Sequence, residues 1–218
     1  MPKEIVELVH RWKELNSSWQ YRYFDDKMCE DFISSEYEDE WVELYLGLPL
    51  GAMRADLWRY LAIFRYGGVY ADIDTFCEVP LDNWVNKDFG IIVSAQDIVH
   101  FSQWIFAAKS NHPFLGEVIL QVKRRLESPD YNSPDFVDRL TGVEVWTDSI
   151  KNGIGCNRKQ RINIIENIDY YNRLKSAREH KFLCLPSMVG LVKHLYASQN
   201  WKYDGYVSWT KAKEKVRK

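Results

Sequence analysis

Cysteine is scarce in this 218-residue chain. The four present, Cys29, Cys77, Cys156 and Cys184, are far apart and form no C-x-x-C pair. That spacing excludes a zinc ribbon and a dense disulfide framework, and it fits free thiols in a reducing compartment. No apolar run reaches the length of a membrane span, and the N-terminus lacks the apolar core of a signal peptide. A cytoplasmic location is the expectation. Linkers rich in glycine, proline or serine are missing, as are internal repeats, so residues 1–218 read as a single domain. Neither sign of charge dominates: 29 Lys and Arg face 31 Asp and Glu, for a net charge of -2. This balance gives no general attraction to nucleic acid, and no nucleic-acid partner is expected. The basic tail, residues 211–218, allows at most peripheral contact with anionic lipid. A solvated helix end is its ordinary alternative.

The remainder describes a soluble enzyme-sized domain with enough apolar residues, 46%, to build a core unaided. Aromatics reach 15%, with 9 Trp and 13 Tyr, a surplus that fills cores and also lines grooves for sugars or bases. Apolar periodicity predicts helices over Glu4–Leu15, Asp25–Ile33, Glu40–Leu46, Gly51–Tyr66, His112–Leu126, Phe136–Leu140 and Val143–Ile150. Strands are predicted over Trp19–Phe24, Val69–Ala71, Phe89–Ser94, Gln103–Ala107, Ile162–Ile165 and Phe182–Leu185. The order is that of a layered α/β fold, in which ligands gather at the carboxyl ends of strands.

One such end carries the informative stretch, Tyr66-Gly67-Gly68-Val69-Tyr70-Ala71-Asp72-Ile73-Asp74-Thr75. If the strand continued, Asp72 and Asp74 would share a face and Ile73 would point into the packing. Two adjacent carboxylates need a proton, a cation or a metal to offset their repulsion. Hard oxygen ligands of this kind suit Mg²⁺ or Mn²⁺, which commonly combine one or two carboxylates with substrate phosphates. An acidic turn after a strand is the plain alternative, since Asp and Thr are common turn residues. The preceding helix carries Asp56 and Arg59, three residues apart on neighbouring positions of one face. They form an ordinary ion pair or part of a cleft with Asp72 and Asp74.

The segment Ala52–Thr75, AMRADLWRYLAIFRYGGVYADIDT, resembles the D-x-D sugar-binding glycosyltransferases. That family includes the yeast initiating α-mannosyltransferase, capsule-polysaccharide transferases and glucosylating toxin domains. Weaker likeness extends over Pro2–Asp26, Phe101–Leu115, Thr141-Gly142 and His194–Trp201. The resemblance implies a GT-A fold, a mixed and mostly parallel sheet flanked by helices. It implies that Asp72 and Asp74 bind Mn²⁺ (or Mg²⁺), with His194 as a further metal or phosphate contact. Asp56 and Arg59 would hold the donor sugar, Asp72 would also touch it, and Gln103 would lie in its pocket. Core packing is the reading for Trp104, and Asp97 and Asp148 have no assignable role.

The implied reaction is hexosyl transfer from a nucleotide sugar to a glycan or glycolipid acceptor with retention of configuration, with a UDP-hexose donor favoured over GDP-mannose. The usual first strand of the family, "IPKIIHQIW", has no counterpart here, Val143 stands where a Pro is usual, and residues 198–201 have drifted from the closing motif. Two alternatives stay open: a sugar-nucleotide hydrolase or nucleotidyltransferase, and a non-catalytic relative that binds glycan or protein.

Overall fold

A computed structural model describes residues 2–86, 88–156, 163–188 and 191–194. Helices α1 (Lys3–Leu15), α2 (Asp26–Glu36), α3 (Asp39–Gly47) and α4 (Gly51–Tyr66) precede strands β1 (Gly68–Ala71), β2 (Thr75–Cys77), β3 (Ile91–Ser94) and β4 (Ile105–Ala108). Helices α5 (Pro113–Leu126), α6 (Phe136–Leu140), α7 (Val143–Gly153), α8 (Ile168–Arg173) and α9 (Lys175–Glu179) then lead to β5 (Phe182–Leu185) and β6 (Val192–His194). No helix among the described residues is long and apolar enough to cross a membrane.

The central sheet has the order β1-β4-β3-β5 and is mixed. Its balance differs from the expectation: β1–β4 and β3–β4 are antiparallel, and only β3–β5 is parallel. A short connection between β3 and β4, closed by Ser102 N–H donating to Ser94 O (2.8 Å), allows antiparallel pairing without a crossover helix. Every strand of this sheet alternates between two cores. Tyr70, Ile91, Val93, Phe106, Phe182 and Cys184 meet α4, α5 and α7 on one face. Val69, Ala71, Ile92, Ile105, Ala107 and Leu183 meet Trp12 of α1 and Trp84 on the other.

Two further expectations change. The predicted strand Trp19–Phe24 does not form, because no neighbouring strand offers it a ladder among the described residues. Side chains anchor the segment instead: the Trp19 indole donates to Asp82 Oδ1 (2.9 Å), and Phe24 packs on Trp58 with centroids 4.8 Å apart. Of the predicted strand Ile162–Ile165, Ile162 lies outside the described residues, and Ile165 begins a 3₁₀ turn, Ile165–Asn167. Asp97 pairs with His100 and Asp148 with Arg125, so both have local structural partners. Trp104 packs at the edge of the second core, as expected.

Helix α4 positions the site. Met53, Leu57, Tyr60 and Leu61 are fully buried, and Gly67 ends the helix, its N–H donating to Ile63 O (2.8 Å). Gly67 has φ +67°, and a Cβ there would come within 2.7 Å of Ser110 N. Only glycine meets both conditions without strain. The chain therefore reverses at once into β1, which carries Asp72 back past the helix that carries Asp56 and Arg59.

Candidate active site

The D-x-D segment is a turn, not a continued strand. Asp72 N–H still donates to Trp104 O (2.9 Å) at the end of the β1–β4 ladder, but Thr75 N–H donates back to Asp72 O (3.1 Å). The Thr75 hydroxyl reinforces this at 2.6 Å. Ile73 is consequently 42% exposed rather than packed inside, and Asp72 and Asp74 border a cleft. Helix α1 holds the far side of the turn, with the Trp12 indole donating to Thr75 O (3.0 Å) and Arg11 Nε to Cys77 O (3.2 Å). Strand β6 pairs with β2 so that the His194 backbone lies opposite Thr75, one residue past Asp74. The rest of the expected closing motif, residues 195–201, lies outside the described residues.

Arg59 joins the two halves of the site. Its Nη2 lies 3.2 Å from Asp56 Oδ1 and 3.5 Å from Asp72 Oδ1. Nε donates to Ala55 O (3.3 Å), Nη1 donates to Gln103 O (3.1 Å), and the guanidinium sits 4.7 Å from the Tyr70 ring centroid. Burial works against its charge, but Asp72, then Tyr70 and Asp56, outweigh that and push Arg59 above its ordinary value. The Tyr70 hydroxyl donates to Asp72 Oδ1 at 2.5 Å, so one oxygen of the first aspartate is oriented by two donors.

Asp56 lies behind Arg59, 2% exposed. Gln103 Nε2 donates to its Oδ1 (3.1 Å) and the Thr141 hydroxyl to its Oδ2 (3.0 Å). A carboxylate only accepts, so the Gln103 amide nitrogen must face it, leaving the Gln103 oxygen for the Tyr60 hydroxyl at 2.5 Å. Burial pushes the Asp56 carboxyl up to about 6, against the opposing pull of Arg59 and Thr141. Neither Asp56 nor Gln103 lines the cleft, whereas Arg59, Asp72 and Asp74 do.

The cleft has a volume of about 1150 Å³ and runs from the D-x-D turn along the outer edge of β1 to residues 19–26. The Asp72–Trp104 bond sets the ladder's phase: alternate residues of an antiparallel strand face the partner, so Val69 and Ala71 turn their N–H and C=O groups outward. Trp58 lines this cleft, and its buried indole N–H has no acceptor among the described residues.

Chemically, the residues fit a divalent cation bound together with a phosphorylated ligand. Two carboxylates share one turn at the cleft, and no cluster of three or more His, Cys, Asp or Glu side chains occurs among the described residues. Such a site leaves coordination positions for ligand oxygens, the usual arrangement for Mg²⁺ with phosphates.

Of the predicted site residues, Arg59 lies within 3.5 Å of both Asp56 and Asp72, and Asp74 lines the same cleft, whereas Gln103, expected in the sugar pocket, is bonded to Asp56 away from the cleft. Sequence reasoning missed Tyr60 and Tyr70 as polar partners. The signal for Tyr70 was available: it stands two residues before Asp72 and shares its side of the strand.

Comparison with known proteins places this geometry in a class. A solved structure, "PaToxG Glycosyltransferase", has the same fold, with a TM-score of 0.53 and 16% identity over 83% of this chain and 73% of that one. The chain thus has a GT-A-like α/β fold. Residues 2–90 match the glycosyltransferase sugar-binding region containing the DXD motif. The chain's relatives include the initiation-specific alpha-1,6-mannosyltransferase of Schizosaccharomyces pombe, 26% identical over 68% of this chain and 44% of that protein. Inositol phosphoceramide mannosyltransferase 1 of the same yeast is 32% identical over 47% of this chain and 32% of that protein. An uncharacterised glycosyltransferase of Acanthamoeba polyphaga mimivirus is 23% identical over 76% of this chain and 65% of that protein. The chain spans less than half the length of the yeast proteins it matches.

Proposed function

We propose that the protein transfers a hexosyl group from a nucleotide sugar to a glycan-type acceptor, with Asp72, Asp74 and Arg59 at the donor's diphosphate and sugar. The observation that carries this reading is the convergence on one cleft of two carboxylates and a buried, fully charged guanidinium. Phosphates are multiply charged, and neither carboxylates alone nor Arg59 alone would suit them. Asp72 and Asp74, with His194 next to them along the β2–β6 ladder, would hold Mn²⁺ or Mg²⁺. When bound, that ion supplies positive charge to offset the charge developing on the leaving diphosphate.

The protein's own residues do the positioning. Arg59 presents a cation that stays charged at any working pH, and Tyr70 fixes the orientation of Asp72. A fixed charge next to the leaving group stabilises the transition state without reorganisation. Asp56 is enclosed and has both oxygens occupied, so it is no covalent nucleophile in this reading. Retention would then come from acceptor attack on the same face that the diphosphate leaves. The named mannosyltransferases move our preference from a UDP-hexose to a mannosyl donor. Trp58 and the aromatics of residues 19–24, which line the same cleft, would meet the rest of the donor.

The test is turnover of a panel of UDP- and GDP-sugars with Mn²⁺, for the wild type and Asp72→Asn. Release of nucleoside diphosphate from one donor, lost in the variant, supports the reading and names the donor. Equal turnover by Asp72→Asn would overturn it.

A further inference from the structure

The corner between α6 and α7 lies far from the cleft in sequence, yet it reaches the site through one hydroxyl. Thr141 is fully buried, and its Oγ1 lies 3.0 Å from Asp56 Oδ2 and 3.3 Å from Val137 O. One hydroxyl proton cannot serve both acceptors, and the charged, nearer carboxylate is the stronger. The corner itself is rigid. Thr141 N–H and Gly142 N–H both donate to Val137 O, at 3.0 and 2.8 Å. A Cβ on Gly142 would come within 2.8 Å of Asp138 Cα, so α6 packs directly against the Gly142 backbone. The Tyr60 hydroxyl, whose proton goes to Gln103 Oε1 (2.5 Å), lies 3.0 Å from Thr141 O, and its ring stacks on Trp146 of α7 at 5.5 Å and 3°. Thr141 therefore presents its hydroxyl to Asp56 from a fixed support.

That contact decides where Arg59 goes. Arg59 Nη2 is shared between Asp56 Oδ1 at 3.2 Å and Asp72 Oδ1 at 3.5 Å. Asp χ2 is a soft torsion, so an Asp56 carboxylate with only one oxygen tethered can turn. Thr141 tethers the second oxygen. Without it, Asp56 loses its set orientation and Arg59 moves toward Asp72, whose charge it then masks. We infer that Thr141 is a positioning residue: through Asp56 it holds Arg59 between the two aspartates, so that Arg59 faces the donor and Asp72 stays available to a cation. The inference deepens the glycosyl-transfer reading and shares its site, but its geometry can be measured without any substrate.

Solution NMR of the Arg59 side-chain N–H groups gives that measurement, made on wild type, Thr141→Val and Thr141→Ser. In the wild type these groups should give resolved, slowly exchanging signals, as for a guanidinium held at four acceptors. Thr141→Val keeps the shape and removes the hydroxyl. Its Arg59 signals should broaden and exchange at least about 10-fold faster, the order expected for losing a hydrogen bond to a charged group. Thr141→Ser should restore them. With the donor that the turnover panel names, Thr141→Val should lower kcat about 10-fold or more while KM changes less, because positioning acts on the reacting geometry. Thr141→Ala removes the same hydroxyl with less bulk and serves if Thr141→Val does not fold. Unchanged Arg59 signals in a folded hydroxyl-free variant would overturn the inference. If no donor is turned over by the wild type, the functional reading fails while the NMR result still decides the role of Thr141.

Discussion

The two sides of Arg59 are built differently. On the Asp56 side every polar group has a partner: Gln103, Thr141 and Arg59 surround the carboxylate, and Tyr60 closes the ring of hydrogen bonds. On the Asp72 side the protein presents a turn, an exposed Ile73, the outward-facing backbone of β1 and a Trp58 indole without an acceptor among the described residues, all along a large cleft. One side is a finished interior and the other is a surface shaped for something else to complete it. The difference suggests a division of labour. The closed side sets the position of one cation, and the open side meets the ligand.

Substitutions should separate these sides. The largest effect on turnover is expected from Asp74→Asn or Asp72→Asn: a loss of at least about 100-fold, comparable to removing one preorganised electrostatic contact. The melting temperature should fall less than for substitutions on the closed side, because both aspartates border the cleft and are only half-buried. The reverse holds on the closed side. Asp56→Asn puts an NH2 where Gln103, Thr141 and Arg59 all donate, so a buried donor loses its acceptor, at a cost of about 1–3 kcal/mol. Chemical denaturation should show that loss directly, with activity falling as a consequence. If Asp56→Asn is as stable as wild type, the closed side is not the interior described.

Proton uptake should also set the two properties against each other. Burial raises Asp56 from 3.8 to about 6 in the folded protein. A carboxyl with a raised folded value stabilises the fold most below its unfolded value, and that contribution disappears as pH rises through about 6. Only an ionised Asp56 holds Arg59 between the two aspartates, so turnover should rise over the same window. Opposite slopes of stability and activity between pH 4 and 7 are the expected outcome, using paired denaturation and rate profiles. An activity profile flat through about 6 would separate Asp56 from the chemistry.

A smaller effect concerns the hinge between the sides. Gly67→Ala should cost at least about 1 kcal/mol, since it combines a positive φ with a close backbone contact. The smallest is local. Amide exchange should be fast at Val69 and Ala71, which face the cleft, and slow at Tyr70 and Asp72, which face β4. Protection of all four alike would mean that the outer edge of β1 is covered.

Much of this was legible from residue order. Gly67-Gly68 after an amphipathic helix marks the reversal that brings Asp56 and Arg59 beside Asp72 and Asp74, and the strand period places Tyr70 with Asp72. The orientation of the aspartates was not legible. Extending β1 through Ile73 sends that side chain inward, whereas the bond from Thr75 N–H to Asp72 O makes a turn and exposes it. Residues 20–25 have a strand's composition, but strand propensity requires a neighbouring strand to express it. The sheet's antiparallel bias depends on the short β3–β4 connection, which composition does not reveal. The role of Gln103 also needed coordinates, because its neighbours Tyr60 and Asp56 are more than 40 positions away in the chain.

On the proposed function, the open side of Arg59 is a metal-assisted donor site. The most direct test is calorimetric titration of the preferred nucleotide sugar, with and without Mn²⁺, into wild type and Asp74→Ala. Binding that requires Mn²⁺ and disappears in an otherwise folded Asp74→Ala protein is the predicted result. Donor binding that is indifferent to both the ion and Asp74 would contradict it.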